Sequence, residues 1–195
     1  MKEHLYKIDN LKGMLIFLVV FGHVIERLGE RNGMYNLIYV FHMPLFVIIT
    51  GMTFKNYILN NEWKKIFVKI FIPYIIFQIF YTLLINRFNF SSIMGWKYLL
   101  VPYYHMWYIF SLIIWSYVTI FLKNYINKYV VLVFFLTGIF VNFFNINLHI
   151  LAISRTIIFY PYFLIGYLMG IKKEFIGKKQ KFLNYTLFLI YIYIY

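Results

Sequence analysis

The chain has 195 residues, 63% of them hydrophobic and 24% aromatic, with a mean hydropathy of +0.74. Only 13% are charged, against about a quarter in an ordinary soluble domain, so a soluble globular core is a poor account of this composition. The net charge is +13, but the lysines stand between long apolar blocks, which points to membrane orientation rather than to nucleic acid. Cysteine is absent, which removes disulfides, thiolate metal sites and cysteine nucleophiles.

The apolar blocks have the length a bilayer demands, about 20 residues each. They predict an all-α fold, a multi-pass transmembrane helical bundle. The first span is expected at Ile8–Leu28, retained rather than cleaved because no small-x-small site follows it. After the polar loop Gly29–Gly33, the second span is expected at Met34–Phe54, followed by a basic loop, KNYILNNEWKK. The third is expected at Ile66–Ile85, with a kink at Pro73 and a buried Gln78. Residues 86–104 are rich in aromatics and suit an interfacial or re-entrant segment. Further spans are expected at His105–Leu122, Tyr129–Phe144 and Ile153–Ile171. A last apolar block begins at Phe182 and stops at Tyr195 after 14 residues, too short to span comfortably. The expected architecture is thus six full spans and a truncated seventh. Residues 1–195 form one membrane-embedded domain, expected to be incomplete at its C-terminus.

Charge orients the spans. With the N-terminus in the cytoplasm, 14 Lys and Arg residues face inward and 4 outward, Arg155 standing apart at a span end. The excess of basic residues on cytoplasmic loops selects this orientation.

The first span carries an unusual set of polar groups, Asp9, Lys12, His23 and Glu26. Lys12 and His23 are 11 residues apart, about three turns or ~16 Å along one helix face. Intramembrane ionisable groups are costly and commonly functional. His23 reads either as a packing histidine or as a general base that takes a proton from an attacking hydroxyl. Glu26 lies one turn on, where a carboxylate would orient that imidazole or simply end a helix at the interface. Lys12 either snorkels to the inner interface or meets phosphates of a cytosolic donor, and Asp9 either caps the helix or pairs with Lys12. Outside this span, His42 stands in FHMP, beside the backbone that Pro44 opens. His105 and Trp107 in HMWYIF would make a wall for a sugar ring, or an interfacial belt. Arg155 carries the highest desolvation cost and so suggests an anionic or polar ligand. No Gly-rich phosphate loop, HExxH or GxSxG is present, and no metal is expected.

Four motifs occur in order: DNLKGMLIFLVVFGH, FHMPLFVIITGMTF, HMWYIFSLIIW and SRTIIFYPYFLIGYLMG. Together they resemble the acyltransferase 3 family of bacterial integral-membrane O-acyltransferases, especially its fucose 4-O-acetylase-like branch. The family pattern of a basic residue, ten residues, then His is met by Lys12 and His23. The resemblance implies transfer of an acetyl group from acetyl-CoA to a hydroxyl of a cell-surface or lipid-linked glycan. The acceptor would be of the exopolysaccharide, lipopolysaccharide or cell-wall type, at the bacterial inner membrane. It implies catalysis by His23, functional roles for Lys12 and Arg155, and a site lined by His42, His105 and Trp107. The same polar stripe would also serve a transporter or flippase component without catalysis, and a truncated product would be inactive.

Overall fold

The computed structural model describes residues 2–27, 33–85, 101–103, 106–144 and 152–171. These residues form helices α1 (Lys2–Arg27), α2 (Gly33–Leu59), α3 (Trp63–Ile66), α4 (Ile72–Ile85), α5 (Met106–Leu122), α6 (Lys128–Phe143) and α7 (Ile153–Ile171). A π-helical turn, Phe67–Phe71, joins α3 to α4. Among the described residues there is no strand. The all-helical class follows from the sequence: long Leu, Ile, Phe and Val runs can bury every backbone N–H and C=O only by bonding within the segment. Among the described residues, two stretches are long and apolar enough to cross a membrane, Ile8–Ile25 and Trp63–Ile85.

Polarity is turned inside out relative to a soluble domain. Gln78, Ser111, Ser116 and Thr119 are fully buried, whereas Phe121, Phe143 and Phe17 are 80%, 77% and 66% exposed. The buried hydroxyls are satisfied locally or across helices. Thr50 donates to the Phe46 carbonyl, Thr82 to that of Gln78 and Ser116 to that of Leu112, each four residues back. Such bonds let a hydroxyl sit in an apolar helix without an orphaned donor.

The helix limits differ from the expected spans in instructive places. The loop expected at 55–65 shrinks to Asn60–Glu62, because α2 runs to Leu59 and α3 starts at Trp63. Asn61 takes a left-handed backbone with φ 54°. The Asn61 N–H returns to the Ile58 carbonyl and the Glu62 N–H to that of Tyr57, the double closure of a Schellman cap. Asn tolerates this conformation better than other non-glycine residues. At the expected kink of Pro73 the helix carries a π turn. Pro73 has no N–H for the Lys69 carbonyl and its ring crowds that carbonyl. The helix widens just before it, with the Ile72 N–H reaching five residues back to Phe67. Asp9 is no cap, since α1 begins at Lys2 and carries Asp9 in its interior. Leu28, His105, most of the segment at 86–104 and the block at 182–195 lie outside the described residues.

The chain divides into two compact units, one holding the described residues of 1–53 and 165–195, the other those of 54–164. In the first, α1 buries Leu15, Gly22 and Ile25 and exposes Met14, Phe17 and Val24. There α2 and α7 meet at Ile48 and Gly166. In the second, α5 and α7 are joined by polar bonds described below. Gly138 of α6 packs against the backbone of Ile157 and Ile158 in α7. Small residues allow such backbone approach between apolar helices.

Candidate functional site

In the first unit, Lys12 and His23 are half-buried on one flank of the packed face of α1, whose centre is Leu15 and Gly22. Asp9 is exposed. Glu26 lies in the last turn of α1, and its side chain is outside the described residues. His42 of α2 is 2% exposed. Its Nδ1 bonds the Ile38 carbonyl one turn back. A carbonyl only accepts, so Nδ1 carries a proton and donates it. The backbone around His42 is fixed by Pro44 two residues on, buried in α2. His23 and His42 interact electrostatically. Two imidazoles from separate motifs, on α1 and α2, thus sense each other electrostatically within the first unit.

In the second unit, Trp107 of α5 and Arg155 of α7 come together. The guanidinium lies 5.3 Å from the Trp107 ring centroid. Phe159, one turn after Arg155, stands 5.5 Å from the same ring. Arg155 is exposed, and its cation rests on an aromatic face. His105 lies outside the described residues.

The platform is braced from below by residues that the motif reading passed over. The Ser111 and Thr156 hydroxyls are 2.7 Å apart, Trp115 Nε1 donates to the Thr156 carbonyl at 2.8 Å, and the Thr119 and Tyr160 hydroxyls are 3.1 Å apart. Ser111, Trp115 and Thr119 are spaced by four, as are Thr156 and Tyr160. That spacing puts each set on one helix face, a signal present in the sequence. The platform is also positioned from α4. Gln78 Nε2 donates to the Val101 carbonyl at 2.7 Å, and its Oε1 accepts from the Tyr103 N–H at 3.3 Å. One side-chain amide thus holds both backbone groups of the segment that leads into α5. The Met106 N–H then bonds the Tyr103 carbonyl at 2.8 Å and opens the helix that carries Trp107. Gln78 was legible as a buried polar residue, but its partners lie 23 and 25 residues away and carry no sequence signal.

Chemically, the first cluster offers proton transfer, and the second offers a cation on an aromatic surface suited to a planar, anionic or sugar-like group. Among the described residues, no group of three or more His, Cys, Asp or Glu gathers as a metal set.

Comparison with known proteins places these features. A family model described as an acyltransferase domain matches residues 5–195. Nodulation protein NolL of Sinorhizobium fredii (strain NBRC 101917 / NGR234) is 38% identical over 64 residues, the match taking in 29% of this chain and 18% of that protein. The chain thus matches less than a fifth of that relative's length. No solved structure matches. With the family model covering nearly the whole sequence, the chain belongs to the acyltransferase 3 family.

Proposed function

We propose that the protein is a multi-pass O-acetyltransferase of the bacterial inner membrane, acting as one membrane-embedded domain with its N-terminus in the cytoplasm. It would move an acetyl group from acetyl-CoA to a hydroxyl of a cell-surface or lipid-linked glycan. The observation that carries this reading is that His23, on the helix that also bears Lys12, interacts electrostatically with His42 of α2, in a chain of an acyltransferase family. The charge bias of the loops supports the topology, and Ile8–Ile25 and Trp63–Ile85 are long and apolar enough to span.

Lys12, about three turns from His23, meets the phosphates of the donor, and Asp9 tempers its charge. His23 takes the proton of the acceptor hydroxyl as that oxygen attacks the thioester carbonyl. The C–O bond forms and the C–S bond breaks. The CoA thiolate leaves and receives the proton from the His23 imidazolium, which restores the neutral ring. Glu26, one turn beyond His23, orients the imidazole and stabilises its charged form. Trp107 and Arg155, in the second unit, offer a cation on an aromatic face to a sugar-like or anionic group. An acyl-His23 intermediate uses the same atoms in two steps.

The test is radiolabel transfer. Membranes containing the protein are supplied with acetyl-labelled CoA and acceptor glycan. Alkali-labile label in the glycan, absent from empty membranes, is the expected result. Protein-dependent movement of unmodified glycan with no label transferred would instead favour a transporter or flippase component.

A further inference from the structure

We propose that one end of the second unit, formed by the α2–α3 and α5–α6 turns, is a binding rim for anionic phospholipid headgroups. The two turns are clamped together. Lys123 Nζ donates to the Leu59 carbonyl at 3.2 Å and to Asn61 Oδ1 at 2.8 Å, and the Tyr117 hydroxyl donates to the Trp63 carbonyl at 3.1 Å. The clamp gathers Lys55, Lys64, Lys65, Lys69, Lys123 and Lys128 at one end of the unit. Glu62 is the one acid among the described residues of this rim, and it is taken up by Lys65 at 2.6 Å.

Three of these ammonium groups rest on rings: Lys64 on Trp63 at 5.2 Å, Lys69 on Tyr57 at 5.6 Å and Lys128 on Tyr129 at 5.0 Å. Lys69 also donates to the Tyr57 hydroxyl at 3.3 Å. An amphipathic ring with a cation at its edge suits the headgroup level of a bilayer, where the ring meets the acyl boundary and the ammonium reaches phosphate. Directly beyond the rim, the surface turns apolar: Phe67, Val68 and Ile72 are exposed on the helix that carries Lys64 and Lys69, and Phe121 on the helix that leads to Lys123. A soluble anion would use the lysines and leave that apolar surface bare. Anionic lipids around the rim use both, their phosphates meeting Lys64, Lys69 or Lys128 and their chains the exposed apolar side chains such as Phe67, Val68 and Ile72. The π turn contributes to this placement, because it sets Lys69 on the side of the helix that faces Tyr57.

This inference rests on the membrane placement proposed above but not on acyl transfer. Its test is thermal unfolding of the purified full chain in detergent, titrated with phosphatidylglycerol, phosphatidylcholine or CoA. Phosphatidylglycerol is expected to raise the midpoint and phosphatidylcholine to leave it unchanged. The triple variant K64Q/K69Q/K128Q is expected to lose at least about tenfold in phosphatidylglycerol affinity, and K64R/K69R/K128R to retain it. Equal shifts with both lipids would overturn the proposal. So would wild-type lipid affinity in the glutamine variant, or a lysine-dependent shift given by CoA and not by phosphatidylglycerol. Release of the chain from vesicles of phosphatidylcholine and phosphatidylglycerol by alkaline carbonate would overturn the membrane placement itself. Retention with no lipid preference would overturn this inference alone.

Discussion

Gly166 of α7 and Ile48 of α2 touch backbone to backbone: a Cβ built on Gly166 would stand 1.9 Å from the Ile48 carbonyl oxygen and 2.8 Å from its carbon. No rotamer relieves a clash with backbone, so the helices must part. Gly166→Ala is expected to cost about 3 kcal/mol and to lower the unfolding midpoint in detergent. Gly138→Ala is the control. Its nearest backbone neighbour is the Ile158 Cα at 3.4 Å, and alanine's helix preference of about 1 kcal/mol over glycine offsets the crowding. An unfolding midpoint for Gly166→Ala equal to that of Gly138→Ala would contradict the close crossing.

Gln78 ties α4 to the segment ahead of Trp107. Gln78→Leu strands the Val101 carbonyl and the Tyr103 N–H, at a cost of about 1–3 kcal/mol. Gln78→Glu keeps an acceptor for the Tyr103 N–H but, when ionised, buries a charge with an oxygen facing the Val101 carbonyl, so its cost is expected to match or exceed that of leucine. Hydrogen exchange at the Tyr103 amide reads the kept bond directly, with the fastest exchange in the leucine variant.

The direction of the Ser111–Thr156 bond follows from proton counting. The Thr156 hydroxyl donates its one proton to the Ala152 carbonyl at 3.0 Å, so Ser111 donates to Thr156. Thr156→Val removes the acceptor of a buried hydroxyl and is expected to cost about 1–2 kcal/mol. Ser111→Ala leaves Thr156 bonded to Ala152 and is expected to cost less. Thermal unfolding of the two variants ranks them, and the reverse order would contradict the assignment.

Arg155 and Trp107 provide a measurable coupling. For an exposed cation on an indole, a double-mutant cycle of Arg155→Gln and Trp107→Leu is expected to give about 0.5–1 kcal/mol. Additive losses in unfolding free energy would show that the stacking contributes nothing.

The helices were legible because apolar runs of bilayer length leave the backbone one way to satisfy itself. The span expected at Ile153–Ile171 is α7 to the residue. Helix ends at the turns were less legible. Residues 55–65 read as a polar loop, yet Lys123, 62 residues away from Asn61, and the left-handed Asn61 close them into helix. Pro73 was read as a kink, and the structure adds a π turn that absorbs the missing donor without a break in the helix. For the candidate site, the family resemblance implied that His42 lines the site with His23, and the His42 hydrogen bond to Ile38 had no sequence signal. The hydroxyl face of Ser111, Thr119, Thr156 and Tyr160 had helical spacing and was overlooked, because Ser and Thr in apolar helices usually satisfy themselves.

The central claim is that His23 moves the proton in acetyl transfer. The direct measurement is the rate of label transfer from acetyl-CoA to glycan in membranes carrying His23→Ala, with the amount of inserted protein and its unfolding midpoint measured alongside. The predicted result is a loss of about 100-fold or more, with insertion and midpoint unchanged and partial recovery on addition of free imidazole. Label transfer at the wild-type rate by the inserted variant would contradict the account.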